Sequence, residues 1–524
     1  MGLLIGYPAG QVGANPADEL ILKLPDPVGD VDQVVWDLPN GEPPYLDPRN
    51  SLDFSNGQVA ANMCEPLLVM APDRSVHPNL AEYEQVSDTK VVLHLRSDVT
   101  FWDGTPMTAD DVVYSMTRAK EPDSSARFGL RNVETITKTG ANEVTLSLSR
   151  PDVLLKPGLA SSGGRIVQKA FTEKVGKEFG TPAGGLMCTG PFQLGTWDSG
   201  NSLTMTRYDG YWNKDRRPFA KTVKFVFVTD ATATAQALNS GEIDGTYQIP
   251  LAAMQTLQNS PAGKLYRGPS TESINLTVAT PGGQLADLNL RNALMNLINR
   301  EAIAKVVYFG AATPKYTMLT PATWPADQKA KYEKAYEGFV KARGYDLEKA
   351  KKLVEASKYD GSPLILALQS GDSEGTKVAQ IIQQEAGKIG VKIEIKEMQP
   401  VAFSQAGTDA TYREGLDLMY TSNFDLRPDP LEPFGYGMPG EAYNYTDWDS
   451  PEATEIFKKA RATYDNAERA DLTIRLQELI EEDAATIPIV STDARTFLSN
   501  DLTGAVTSFA YWPMQQMAYV GAAK

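Results

Sequence analysis

The chain has 524 residues, 42% hydrophobic and 22% charged, with 22 Tyr and 7 Trp. That is more than one core usually organises and too apolar for disorder, so two or more folded lobes are expected. Fifty basic against 66 acidic side chains leave a net charge of -16, which repels phosphate backbones and anionic lipid and argues against nucleic acid as a partner.

The first residues, "MGLLIGYPAGQVGANPADEL", carry neither a basic region nor an apolar segment of signal-peptide length. They read as a trimmed start with an added methionine, opening a Pro/Gly/Asp-rich lead over 1–30 that is expected to be poorly structured. No later stretch approaches the roughly 18–20 apolar residues of a spanning helix. "VVLHLR" (91–96) alternates Val91, Leu93 and Leu95 against Val92, His94 and Arg96, the period-two pattern of a half-buried strand. Segments 142–149 and 221–228 read the same way, and 363–368 and 391–398 give strands in the second half. Between these last two, Val378, Ile381, Ile382, Glu385 and Ile389 stand at helical spacing with Gly390 at the end, so a strand, helix, strand unit with parallel pairing is predicted. Further helices are predicted over 287–308, 346–357, 451–463 and 467–484.

Catalytic motifs are mostly eliminated. "GYGMPG" (435–440) matches a dinucleotide fingerprint, but Pro433 and Pro439 deny it the strand-to-helix setting such a site needs. "SDTK" (87–90) lies in a polar turn rather than opening a buried helix. P-loop, zinc-protease, CxxC and nucleophile-elbow spacings are lacking. The two histidines, His77 before a proline and His94 in a strand, have neither metal nor triad spacing. No metal and no cofactor is expected.

Carboxylates remain. In "FWDGTPMTADDVVYSMTRA" (101–119), Thr108 and Asp111 form a predicted capping box, placing Asp110 and Asp111 in a first helical turn, where the charged carboxylate is favoured. Asp103-Gly104 is a turn signal. All three acids read as scaffold. Cys64 and Cys188, the only cysteines, fit either two reduced buried thiols or one disulfide in an exported protein.

The words "NMCEPLLVMAPDRSVHPNLAEYEQVSDTKVVLHLRSDVTFWDGTPMTADDVVYSMTRA" (62–119), "CTGPFQLGTWDSGNSLTMTRYDGYWN" (188–213), "ATAQALNSGEIDGTY" (233–247), "LNLRNALMNLINREAIAKVVYFGAATP" and "YDLEKAKKLVEASKYDG" resemble, in order and spacing, the family 5 extracellular solute-binding proteins of ABC importers. These are the oligopeptide, dipeptide and nickel receptors, and the resemblance runs from about residue 31. It implies an α/β, two-lobed, periplasmic-binding-protein-like type II fold with an extra subdomain in the first lobe. The expected division is 31–271 with 490–524 as the first lobe, the subdomain at about 66–185, and 272–489 as the second lobe. Two crossing segments are expected near 270–275 and 486–492. It also favours a Cys64–Cys188 disulfide.

The resemblance further implies a ligand cleft. In "MYTSNFDLRPDPLEPFGYGM" (419–438), Asp425 best matches the position that holds a peptide ammonium, with Tyr420 and Asn423 nearby. Three residues separate Asp425 from the D-P dipeptide, where one or two are usual, and Tyr420 replaces the usual Trp. Pairing of Asp425 with Arg427 is the structural alternative. Aromatic and polar wall residues are nominated from "SLDFSNGQ" (Phe54, Ser55, Asn56), from "AYWPMQQ" (Tyr511, Trp512), and at Tyr443 and Tyr445. The implied function is extracytoplasmic capture of a peptide or other small or oligomeric solute, delivered by a monomer to an ABC permease. The signal segment is expected to be removed, and any membrane attachment to run through an N-terminal lipid anchor outside this sequence. An oligosaccharide or aromatic ligand is the alternative in the same role. A secreted hydrolase using Asp103 against a second acid, and a sensor or chaperone on the same fold, are the rivals from other classes.

Overall fold

A computed structural model describes residues 20–50, 53–427, 429–439, 441 and 443–524. Two large mixed sheets and one smaller antiparallel sheet organise it. The first large sheet runs, edge to edge, through Gly263–Gly268, Ala494–Ser499, Gly245–Tyr247, Val31–Asp37, Ala220–Val226, Ser202–Arg207 and Phe192–Asp198. The second runs through Ala312–Pro314, Thr486–Thr492, Ser273–Val278, Leu418–Asn423, Leu364–Gln369 and Ile393–Met398. Each sheet has its own apolar core, one around Trp36, Phe225 and Tyr247, the other around Leu276, Leu294 and Leu366.

The chain passes from the first sheet to the second between Gly268 and Ser273, and returns at Asp493 between Thr492 and Ala494. The two crossings are tied together: the Thr492 amide donates to the Glu272 carbonyl at 3.1 Å, its hydroxyl donates to the Glu272 carboxylate at 2.9 Å, and Arg267 pairs with Asp493 at 3.3 Å. Such paired crossings make a narrow hinge, because few backbone torsions must change for the sheets to move apart.

Local readings of the sequence reappear as elements. Lys90–Leu95 buries Val91, Leu93 and Leu95 and exposes His94. It joins the four-stranded antiparallel sheet of Ala81–Ser87, Lys90–Leu95, Glu143–Leu148 and Val133–Gly140. Leu364–Gln369 and Ile393–Met398 pair in parallel on either side of the helix Ser373–Lys388. The predicted helix over 287–308 is two helices, Leu288–Leu297 and Arg300–Val306, because Asn299 caps the second by accepting from the Ala302 amide at 2.9 Å. Such a cap imposes a non-helical backbone at the junction.

The expected unstructured lead falls outside the described residues as far as 19. Over 20–30 the structure differs from expectation: Lys23 bridges Val506, Gly29 bridges Ala522, and the Leu24 amide donates to Ala505. Pro and Gly text lacks periodicity, and these pairings are made with the far end of the chain.

The family-like words do structural work. Cys64 and Cys188 are bonded, with Cα atoms 5.0 Å apart. Beside them, fully buried Glu65 accepts from the Tyr211 hydroxyl at 2.7 Å, the Trp212 indole at 2.9 Å and the Thr189 hydroxyl at 3.1 Å. Two separate sequence blocks thus meet on one carboxylate, and these hydrogen bonds offset part of its desolvation.

Candidate ligand-binding site

A cavity of about 370 Å³ lies between the second large sheet and the region of the smaller antiparallel sheet, from which Ser125, Phe128, Ser161 and Ser162 reach it, within the size range of small-ligand sites. Its floor is one face of the second sheet. Ser273, Asn275 and Thr277 alternate along one strand, and Thr421 and Asn423 stand opposite Asn275 and Ser273 on the next. Alternation puts these five side chains on the same face, so the floor is hydroxyl and amide. Phe128, Tyr436, Tyr443 and Trp448 supply aromatic walls, while Ser125, Ser161 and Ser162 approach from the other side.

Contacts across the cleft hold the two sides together. Arg461 donates twice to Asp152, both at 2.7 Å, and both residues are buried. Arg131 pairs with Glu441 at 2.5 Å, the Phe128 and Tyr436 rings sit 5.8 Å apart, and the Leu251 amide donates to Glu374 at 3.0 Å.

Asn423, Asp425 and Tyr443 line the cavity. Asp425 is 7% exposed, and its carboxylate makes no hydrogen bond among the described residues; only its backbone carbonyl does, accepting from the Thr271 hydroxyl at 2.8 Å. It is not paired with Arg427, which gives its guanidinium to Glu432 at 2.9 Å. Burial pushes the Asp425 carboxyl up, Glu432 adds to this, and Lys315, Arg74 and Arg427 oppose it.

Six nominated residues are off the lining. Phe54 starts the helix Phe54–Met63, whose cap Asp53 accepts from the Asn56 amide at 2.8 Å; Ser55 and Asn56 are buried in its first turn. The Trp512 indole donates to the Phe54 carbonyl at 3.2 Å and crosses so close over Gly57 that a Cβ there would lie 2.2 Å from the indole nitrogen. Tyr511 is stacked on Tyr247 at 3.9 Å, and the Tyr420 hydroxyl meets that of Tyr308 at 3.1 Å inside the second core. The aromatic signal in these segments is core packing. Phe54 and Trp512 reach the cavity only through Phe424, whose ring lies 5.1 and 5.3 Å from theirs and which does line it. Tyr445 also lines the cavity, its hydroxyl held by the Gly407 carbonyl at 2.9 Å.

Sequence reasoning missed Lys315, Phe128, Phe424 and, apart from Asn423, the floor row. The period-two placement of Ser273, Asn275 and Thr277 was a signal that could have found the floor. Nothing local marks Lys315.

Asp103 stands in a turn, accepting from Thr105 and from Gln168 at 2.9 Å. Partial burial works to raise its pKa, but the hydrogen bonds from Gln168 and Thr105 outweigh it and hold the carboxyl below its ordinary value, the wrong bias for a general acid. Asp111 closes the capping box with Thr108, whose amide donates to it at 3.0 Å.

Two lobes clasping a polar-floored, aromatic-walled cavity define a binding protein that closes over a solute. The profile of the bacterial extracellular solute-binding proteins, family 5 Middle, matches residues 75–469, and the chain belongs to that family, whose members bind solutes rather than transform them. The glutathione-binding protein GsiB of Escherichia coli (strain K12) is 26% identical over 472 residues, 88% of this chain and 89% of its own. Solved structures share the fold. The binding protein AgaA from A. tumefaciens R10 in complex with agropinic acid has a TM-score of 0.79 and 24% identity, over 94% of this chain and 99% of its own. DppA of Helicobacter pylori in complex with peptide STSA has a TM-score of 0.80 and 19% identity, over 95% and 99%. Among the described residues no helix is long and apolar enough to cross a membrane.

Proposed function

We propose that this protein captures a small amine-bearing solute, a short peptide or a peptide-like compound, in the interlobe cavity and presents the closed form to an ABC permease. The observation that carries the reading is the Asp425 carboxylate, buried on the cavity wall with no hydrogen-bond partner among the described residues. A buried carboxylate without a donor is costly, and a ligand ammonium relieves that cost. The hydroxyl and amide floor supplies hydrogen bonds to peptide-like groups, and Tyr436, Tyr443 and Trp448 enclose apolar parts. Closure follows by population shift, since a ligand touching both sides favours the state in which both are within reach. The relatives that bind glutathione or a peptide support this class of ligand.

We take the two lobes to divide where the chain crosses, near 271 and at Asp493 rather than at the expected 490, because Thr486–Thr492 pairs within the second sheet, with the subdomain at about 66–185. The protein acts outside the cytoplasm as a monomer after loss of a signal segment, with a lipid anchor as its route to the membrane.

Native mass spectrometry of the purified protein, followed by a thermal-shift panel of peptides, oligosaccharides, aromatic acids and metal chelates, tests the reading. Amine-bearing compounds are expected to raise the melting temperature, by about 2.7 kcal/mol of added stability at ~100 times Kd, and Asp425→Asn to abolish the shift. Stabilisation by neutral sugars alone overturns it.

A further inference from the structure

Lys315 follows the edge strand Ala312–Pro314 of the second sheet, and its amide donates to the Ile489 carbonyl at 3.0 Å, which fixes its backbone. It lines the same cavity as Asp425 and is 2% exposed. Among the described residues its ammonium has no acceptor within hydrogen-bond distance and no carboxylate within ion-pair distance. The other buried cations in this region are engaged: Arg427 by Glu432, Arg343 by Glu481, Arg461 by Asp152 and Arg74 by the Ala322 carbonyl. Glu481, the acid whose field Lys315 feels besides Asp425, is thus committed to Arg343.

An unpaired ammonium and an unpaired carboxylate lining one cavity are each expensive alone. A ligand bearing both opposite charges answers both. We infer that Lys315 is the anion anchor of this cavity and that, with Asp425, it grips an amino-acid headgroup whose carboxylate and ammonium share one carbon. Both side chains line one cavity of about 370 Å³, so the ligand charges that bridge them lie within that small space. An extended peptide separates its terminal charges by about 3.3–3.6 Å for every residue, whereas a γ-linked glutamyl group keeps both on the same carbon. The inference rests on the ammonium reading of Asp425 and narrows it.

Calorimetric titration of the purified full chain tests it with three probes: γ-glutamyl-alanine, the same compound with its α-carboxyl converted to carboxamide, and α-glutamyl-alanine. The wild-type protein is expected to prefer the γ-linked acid to its carboxamide by roughly 10- to 100-fold, the value of a charge-assisted hydrogen bond in a buried site. Lys315→Gln is expected to erase that preference by weakening the acid and sparing the carboxamide. Lys315→Met, which keeps the apolar stem, is expected to do the same, with circular dichroism confirming the fold of both variants. No binding of the γ-linked acid, equal binding of acid and carboxamide, equal or tighter binding of the α-linked dipeptide, or a preference that survives in both variants overturns the inference. The wild-type comparisons stand however the variants fold. The ammonium reading falls separately, if Asp425→Asn leaves the affinity for the γ-linked acid unchanged.

Discussion

The helix Phe54–Met63 with the tail over 509–519, and the segment 423–445, are both rich in aromatic and polar residues, yet only the second lines the cavity. The first pair of segments carries no charged residue. Its side chains interlock: the Gln516 amide donates to the Gln58 carbonyl at 2.9 Å, Asn62 accepts from the Met517 amide at 2.9 Å, and Trp512 lies over Gly57. The second segment instead presents the Asp425 carboxylate without a hydrogen-bond partner among the described residues, lining the cavity together with Lys315. Aromatic content is alike in the two; of these segments, only the second holds a charge under cover without a hydrogen-bond partner.

The comparison breaks first at Trp512. Trp512→Ala is expected to cost about 3–5 kcal/mol of global stability, measured by urea unfolding. A variant that kept full stability and lost only affinity would move this segment into the binding site. Next is Asp152→Ala, which leaves Arg461 buried and unpaired; breaking such a pair costs about 3–5 kcal/mol. Because the pair joins the two sides of the cleft, part of this loss is expected as weaker closure, read as a larger radius of gyration in the presence of ligand. A compact liganded form of unchanged affinity would remove Asp152 from the closure contacts.

Asp425 sharpens the contrast through pH. Its carboxyl is raised by burial from 3.8 to about 7, so between those values the folded protein holds a proton that the unfolded chain has released. Its contribution to ligand-free stability is therefore expected to fall as pH rises through that window. A ligand ammonium favours the ionised carboxylate, so binding releases a proton, and affinity is expected to rise by up to about tenfold per pH unit below 7. Asp425→Asn should flatten the affinity profile between pH 5 and about 7. The neighbours Glu432, Arg74, Arg427 and Lys315 remain in that variant, so a persistent slope would take the proton away from Asp425. The smallest effect is expected at Asp103: its hydrogen bonds lie in an exposed turn, and Asp103→Asn should change stability by less than about 1 kcal/mol and leave binding intact. Ligand turnover that disappears in this variant would restore the hydrolase reading.

Much of the scaffold was legible. Thr108 and Asp111 make their capping box, and the parallel pairing of Leu364–Gln369 with Ile393–Met398 follows from the helix between them. Both depend on residues close in sequence. The family-like words identified the protein for a related reason: Glu65, Cys64, Cys188, Tyr211 and Trp212 build one buried junction, and a buried junction of fixed chemistry demands fixed residue types.

The site was less legible. Asn423, Asp425 and Tyr443 lie on the cavity, while Phe54, Ser55, Asn56, Tyr420, Tyr511 and Trp512 support it from within the cores or lie away from it. An aromatic or amide side chain carries the same letter whether it meets ligand or core, so composition cannot separate the two. The sequence by itself determined most local elements and, through its family-like words, the two-lobed class, and it nominated the acid at 425. Tertiary structure alone decided that Lys315 joins that acid, that Arg427 goes to Glu432 instead, and that Trp512 packs over a glycine. Lys315 and Trp512 meet their surroundings far away in sequence, and a charge or ring acquires its role only when the fold fixes which partners it has.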